Sequence, residues 1–143
     1  MATIRKTIIN EIITELKNIE IANGFSYDQD DDYVYDWLDV KQLGDTTVLE
    51  VRDPSSDSDD EGGYNHNELT VEIAIIEAGD TVTTSIRDKM NDILLAMKNF
   101  KSNGSASRVI YLGDETDFDR EQKKIGESFL RFVIEYRSDL FTI

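Results

Sequence analysis

The stretch with the most suggestive chemistry runs Asp57-Ser58-Asp59-Asp60-Glu61-Gly62-Gly63-Tyr64-Asn65-His66-Asn67-Glu68. Oxygen-bearing side chains fall at its first, third, fifth, ninth and twelfth positions (Asp57, Asp59, Glu61, Asn65 and Glu68), and Gly62 is sixth. Calcium loops use that spacing because the chain must wrap oxygens around one ion, with glycine allowing the sharp turn. Two features argue against calcium. Glu61 stands where Asp or Asn is required, and the flanks read as strands, whereas the motif needs a helix on each side. A solvated acidic loop accounts for the same residues. Asp28-Gln29-Asp30-Asp31-Asp32 begins a similar pattern but puts Tyr33 where glycine is needed.

Other chemistries are poorly supplied. His66 is the sole histidine, and in a polar loop it reads as a surface residue before it reads as a base or ligand. There is no cysteine, which removes disulfides, thiol catalysis and cysteine-bound zinc together. A serine nucleophile needs a histidine held by a third group, and His66 has no such setting. With 30 carboxylates some pair always lies close, so acid–base pairing discriminates nothing. No G-x-x-x-x-G-K-[ST] loop is present. The chain is therefore expected not to be an enzyme and to carry no cofactor. Tyr33, Tyr35 and Trp37 alternate as one aromatic strand face, which could stack bases. Their neighbours are acidic and repel phosphate, so sheet core or subunit contact is the better reading. The closing Leu140, Phe141 and Ile143 suit core closure or contact with a neighbouring subunit.

The elements that must position these residues follow from periodicity. Ile4, Ile8, Ile9, Ile12, Ile13, Leu16 and Ile19 repeat at helical spacing, and Asn23-Gly24 offers a helix stop. Tyr33–Leu38 and Val48–Arg52 read as a hairpin around the turn Leu43-Gly44-Asp45. Residues 53–67, with the only proline (Pro54), are polar and acidic and read as a long mobile loop. Leu69, Val71, Ile73 and Ile75 then share one face of a central strand, opposite Thr70, Glu72, Ala74 and Ile76. Val82, Ile86, Met90, Ile93, Leu94 and Met97 form the stripe of a second helix, with Asp80 or Ser85 as candidate caps. Val109–Leu112 reads as a strand, Gly113–Arg120 as an acidic connection, and Leu130, Phe132, Ile134 and Tyr136 as one face of a second long strand. The expectation is one α+β domain over residues 1–143. It would hold a mixed, mostly antiparallel β-sheet with two amphipathic helices packed on one face.

The net charge of −15 is unevenly spread. Glu20–Asp80 holds 18 acids and 2 bases, and the remainder is nearly neutral. Binding nucleic acid through its phosphates needs a basic footprint, which this is not. Such acid serves solubility, or it repels something anionic. The start lacks an apolar signal region, and no run approaches ~20 apolar residues. A soluble cytoplasmic product without a membrane partner is expected.

Five segments together carry a family likeness: the N-terminal I-R-K-T-I-I-N-E-I, E-L-T-V-E-I-A-I-I at Glu68–Ile76, and S-I-R-D-K-M-N-D-I-L-L-A-M at Ser85–Met97, followed by I-Y-L-G-D-E at Ile110–Glu115 and F-V-I-E-Y-R-S at Phe132–Ser138. Their order and spacing resemble the tail terminator (tail completion) proteins of long-tailed bacteriophages. The resemblance implies a structural virion protein, a homohexameric ring that caps the tail tube and ends its polymerisation. It would present the head-joining surface at the head-proximal end of the virion tail, after assembly in the host cytoplasm. The implied partners are further copies of the chain, the tail tube protein and a head-completion or neck protein, with genome DNA passing through the channel non-specifically. On that reading Asp30, Asp31, Asp32, Asp57, Asp59, Asp60 and Glu61 are expected at the lumen or its rim. Tyr33, Tyr35, Trp37, Leu140, Phe141 and Ile143 are candidates for subunit contact. The alternatives are a related head–tail connector, or a small acidic binding module that takes calcium or mimics DNA.

Overall fold

The computed structural model describes residues 3–38, 47–78, 82–119 and 125–143. Helix α1 (Ile4–Lys17) starts because the Thr3 side chain accepts from the Lys6 backbone N–H at 3.1 Å. Its stripe of Ile8, Ile9, Ile12 and Leu16 is buried. The helix stops at Asn18, whose N–H reaches back to the Glu15 carbonyl while that of Ile19 reaches Leu16, not at Asn23-Gly24. Ile19 is buried beyond the helix, and Gly24, at φ 93°, closes a separate 3-10 turn, Ile21–Asn23. Helix α2 (Val82–Asn103) buries Ile86, Ile93, Met97 and Phe100, with Met90 and Leu94 at the margin. Ser85 lies inside it and bonds Glu77 rather than capping its start, while Asp80 lies outside the described residues.

Five strands form one sheet in the order β1-β2-β3-β5-β4. They are β1 (Val34–Asp36), β2 (Val48–Asp60), β3 (Tyr64–Ala78), β4 (Arg108–Asp119) and β5 (Ile125–Asp139). All neighbouring pairs are antiparallel except β1 and β2, which run parallel. The expected hairpin between Tyr33–Leu38 and Val48–Arg52 is thus corrected. Val34 pairs with Leu49 and Asp36 with Val51 in the same direction, and the turn Leu43-Gly44-Asp45 lies outside the described residues. The aromatic strand is also shorter than its alternation suggested. Tyr33 sits in a 3-10 turn, Asp31–Tyr33, held by the Asp30 side chain accepting from the Asp32 N–H.

The largest correction concerns residues 53–67. They are not a mobile loop but the outer half of a long β2–β3 hairpin, paired down to Asp60 and Asn65. Only Glu61, Gly62 and Gly63 turn, and the two glycines hold left-handed φ values of 72° and 102° that favour residues without Cβ. The apolar content is low, so order comes from elsewhere. β5 pairs with β3 as far as Asp139, which gives β3 a ladder on both sides. A buried polar chain fills the face where aliphatic residues give out. Ser58 donates to Asn67 at 2.5 Å, Asn67 to Ser138 at 2.8 Å, and Ser138 to the Thr142 carbonyl at 2.9 Å. Asn67 and Ser138 are both buried, and satisfied buried amides and hydroxyls specify register. The acidic connection expected at Gly113–Arg120 is likewise strand as far as Asp119, continuing β4 past an irregularity at Tyr111–Gly113.

Leu69, Val71, Ile73 and Ile75 are fully buried; on β5 Ile134, Phe132 and Leu130 lie opposite the first three, Ser128 opposite Ile75, and the buried Tyr136 opposite Asn67. With Leu49, Val51 and the helix stripes the apolar and aromatic residues among these form one hydrophobic cluster. α1 packs on β1 and β2, and α2 on β3 and β5, so the α+β architecture with two helices on a mostly antiparallel sheet is realised.

Candidate functional site

The acidic residues separate into two groups. Asp30, Asp31 and Asp32 lie beside the start of β2, because Gln29 donates to the Thr47 carbonyl at 2.9 Å and to the Asp30 carbonyl at 3.3 Å. A polar network anchors Gln29. The Tyr27 hydroxyl donates to its Oε1 at 2.6 Å, and Lys89 sits 4.7 Å from the Tyr27 ring centroid. Lys89 also bonds Thr47 Oγ1 and pairs with Glu77, a buried carboxylate. Burial first, then the Asp92 and Glu77 charges, push the Tyr27 phenol well above its ordinary value. Asp57, Asp59, Asp60 and Glu61 lie at the far end of the same strand. At about 3.3 Å per residue, Thr47 and Asp60 are about 40 Å apart along β2.

The calcium-type spacing does not converge on one point. Asp57 pairs with Glu68 and Asp59 with His66 on the sheet face away from the helices, whereas Asn65 pairs with Asp60 on the other face. Glu61 is in the turn. A loop between two helices wraps its odd positions inward, while a hairpin sends successive residues to opposite faces.

The candidate contact residues also divide. Tyr35 is 6% exposed and paired opposite Glu50, so it belongs to the sheet. Trp37 and Ile143 come together in a groove of about 390 Å³ with Leu38, Ile9 and the stem of Arg5. Asp53 organises it. Its carboxylate accepts from Arg5 Nε at 2.8 Å and from Trp37 Nε1 at 2.9 Å, and its carbonyl accepts from Arg5 Nη2 at 2.8 Å. The Arg5 N–H donates to the Ile143 carbonyl at 3.0 Å. One carboxylate thus ties α1 and the exit of β1 to β2, and the Arg5 backbone holds the last residues. Leu38 in this groove is exposed, as are Ile4, Leu140 and Phe141, Phe141 almost completely at 99%. Phe141 also holds φ 61°, a left-handed value uncommon for a bulky side chain.

The sheet face without helices carries ion pairs that sequence reasoning did not anticipate. Arg52 bridges Glu50 at 2.6 Å and Glu127 at 3.1 Å, and lies 4.7 Å from the Phe129 ring centroid. Arg131 bridges Glu72 at 3.3 Å and Glu115 at 3.0 Å. His66 Nε2 lies 3.2 Å from Glu135 Oε1, whose other oxygen is 3.7 Å from Arg108. The alternation of Thr70, Glu72, Ala74 and Ile76 marked this face as polar, but strand partners cannot be read from one chain segment.

Both outer strands of the sheet are acidic. Beyond the β1 pairing, β2 presents Asp57, Asp59 and Asp60 after Pro54, and β4 presents Asp114, Glu115 and Asp117. Charged residues and proline on open edges discourage strand addition. Among the described residues no helix is long and apolar enough to cross a membrane. No protein-family model matches the chain, and no curated protein is significantly similar to it.

Proposed function

We propose that this chain is the subunit of a homohexameric ring that closes the tail tube of a long-tailed bacteriophage, halts its polymerisation and offers the surface to which a neck protein docks. The observation that carries the reading is a set of exposed apolar side chains, Leu38 and Ile143 beside Trp37 in one groove with Ile4, Leu140 and Phe141 exposed as well, on a chain of net charge −15. An aromatic residue held fully exposed at a left-handed φ is costly for an isolated chain, and a partner surface offsets that cost. Ring contacts are heterologous, so these side chains must meet a different surface on the next copy. Pairing β2 of one copy with β4 of another would set acid against acid, so the exposed apolar side chains rather than the sheet edges are the better candidates for contact.

The acidic groups fit a channel that DNA passes without adhering, since acidic walls release no counterions from phosphate. Asp30–Asp32 and Asp57–Glu61 lie at opposite ends of β2. Both can border one lumen only if the channel axis runs roughly along the strands. The test is light scattering and electron microscopy of the chain, alone and mixed with tail tubes, beside Phe141→Asp. The expected result is rings or capped tubes for the natural sequence and loss of both in the variant. A chain that stays monomeric and leaves tubes uncapped, or a variant that still assembles, overturns the reading.

A further inference from the structure

The ladder that joins β2, β3, β5 and β4 brings three acids into one row on the helix-free face. Asp57 pairs with Glu68, Glu68 with Glu135, and Glu135 with Arg108. His66, one step along β3 on the same face, points Nε2 at Glu135 Oε1 from 3.2 Å. Ligand atoms of His66, Glu68 and Glu135 all lie within 4.8 Å of one another. Like charges directly opposite on paired strands are destabilising. On the same face Glu50 and Glu127 share Arg52, and Glu72 and Glu115 share Arg131. Glu68 has no hydrogen bond or ion pair among the described residues, and it is exposed.

We propose that His66, Glu68 and Glu135 form a binding site for a divalent first-row transition metal ion, with zinc as its natural probe. One imidazole nitrogen and two carboxylate oxygens are a donor set that such ions accept, leaving further positions to water or to another molecule. The imidazole separates this site from a chance gathering of acids, since calcium and magnesium take oxygen donors. Tetrahedral zinc with bonds near 2.0–2.2 Å spaces its ligand atoms by roughly 3.4 Å. His66 and Glu135 already stand close to that separation, so the exposed Glu68 is the group that moves inward. Arg108 on the second oxygen of Glu135 holds that carboxylate turned toward His66, as outer-shell partners of ligating carboxylates do. The dication would replace the repulsion of Glu68 and Glu135 with two attractions. The site uses none of the exposed apolar side chains, and it stands whether or not the chain forms a ring.

The test is calorimetric titration of the full chain with zinc, together with proton and nitrogen spectra of its single imidazole. The expected result is one zinc per chain, a shift of the imidazole resonances at that stoichiometry, and at least about tenfold weaker binding in both His66→Ala and Glu135→Gln. Asp88→Asn, on the exposed side of α2, should bind as the natural chain does. Thermal melts without zinc establish that each variant is folded. Several equivalent weak sites, unmoved imidazole signals, or undiminished binding by folded His66→Ala would each overturn the proposal and leave an ordinary His66–Glu135 hydrogen bond.

Discussion

Replacing Asp53 by alanine should loosen the apolar groove and report the change through the only tryptophan. Two bonds to the carboxylate are lost, from Arg5 Nε and from Trp37 Nε1, while the bond from Arg5 to the Asp53 carbonyl survives. Hydrogen bonds to a charged group contribute about 1.5–3 kcal/mol each. The side chains of Arg5 and Asp53 keep 21% and 15% of their exposure, so water partly replaces each lost partner. The low end of the range therefore applies, giving about 3 kcal/mol at most for the pair of bonds. For a domain of this size that lowers Tm by about 10 °C. Asp53→Asn keeps an acceptor for Trp37 and loses only the charge, so about half of that loss is expected. Urea and thermal unfolding give the energies, and Trp37 emission follows the groove directly. The expected emission of Asp53→Ala is red-shifted in the folded state, with Asp53→Asn close to the natural chain. A Tm within about 2 °C of the natural chain, with unchanged emission, would show that Asp53 does not organise the groove.

Two further outcomes follow from local geometry. A Cβ on Gly104 would sit 2.5 Å from Phe100 Cε1 and 2.7 Å from the Phe100 carbonyl oxygen. Phe100 is buried and a helix carbonyl cannot swing away, so Gly104→Ala should cost about 1–3 kcal/mol in urea unfolding, and a neutral result would contradict the packing. The Tyr27 phenol is raised from its ordinary 10.0, mainly by burial, so the folded chain keeps a proton that the unfolded chain releases. That contribution is fully present below pH 10.0 and is lost as pH rises above it. Alkaline unfolding should therefore destabilise Tyr27→Phe less steeply than the natural chain above that pH. Equal slopes would refute the assignment, with Tyr35, Tyr111 and Tyr136 contributing in the same direction to both.

By itself the sequence determined what periodicity encodes. Isoleucine at three- and four-residue spacing sufficed for α1. Alternating aliphatic residues marked the inner faces of β3 and β5, because burial on one side leaves a period-two trace. The charge imbalance of Glu20–Asp80 was equally plain, being only a count. The tertiary structure alone decided the rest. Residues 53–67 look disordered in isolation because they bury little apolar surface. They are strand because β5 supplies a second ladder and because Asn67 and Ser138 satisfy each other's buried polar groups. No local composition records that exchange between residues 71 positions apart. The direction of β1 depended likewise on a partner rather than on its own three residues. The same holds for the grouping of His66, Glu68 and Glu135, since Glu135 arrives from another strand through register. Hydrophobic pattern is written along the chain, whereas strand partnership and the charges it sets side by side are properties of the assembled sheet.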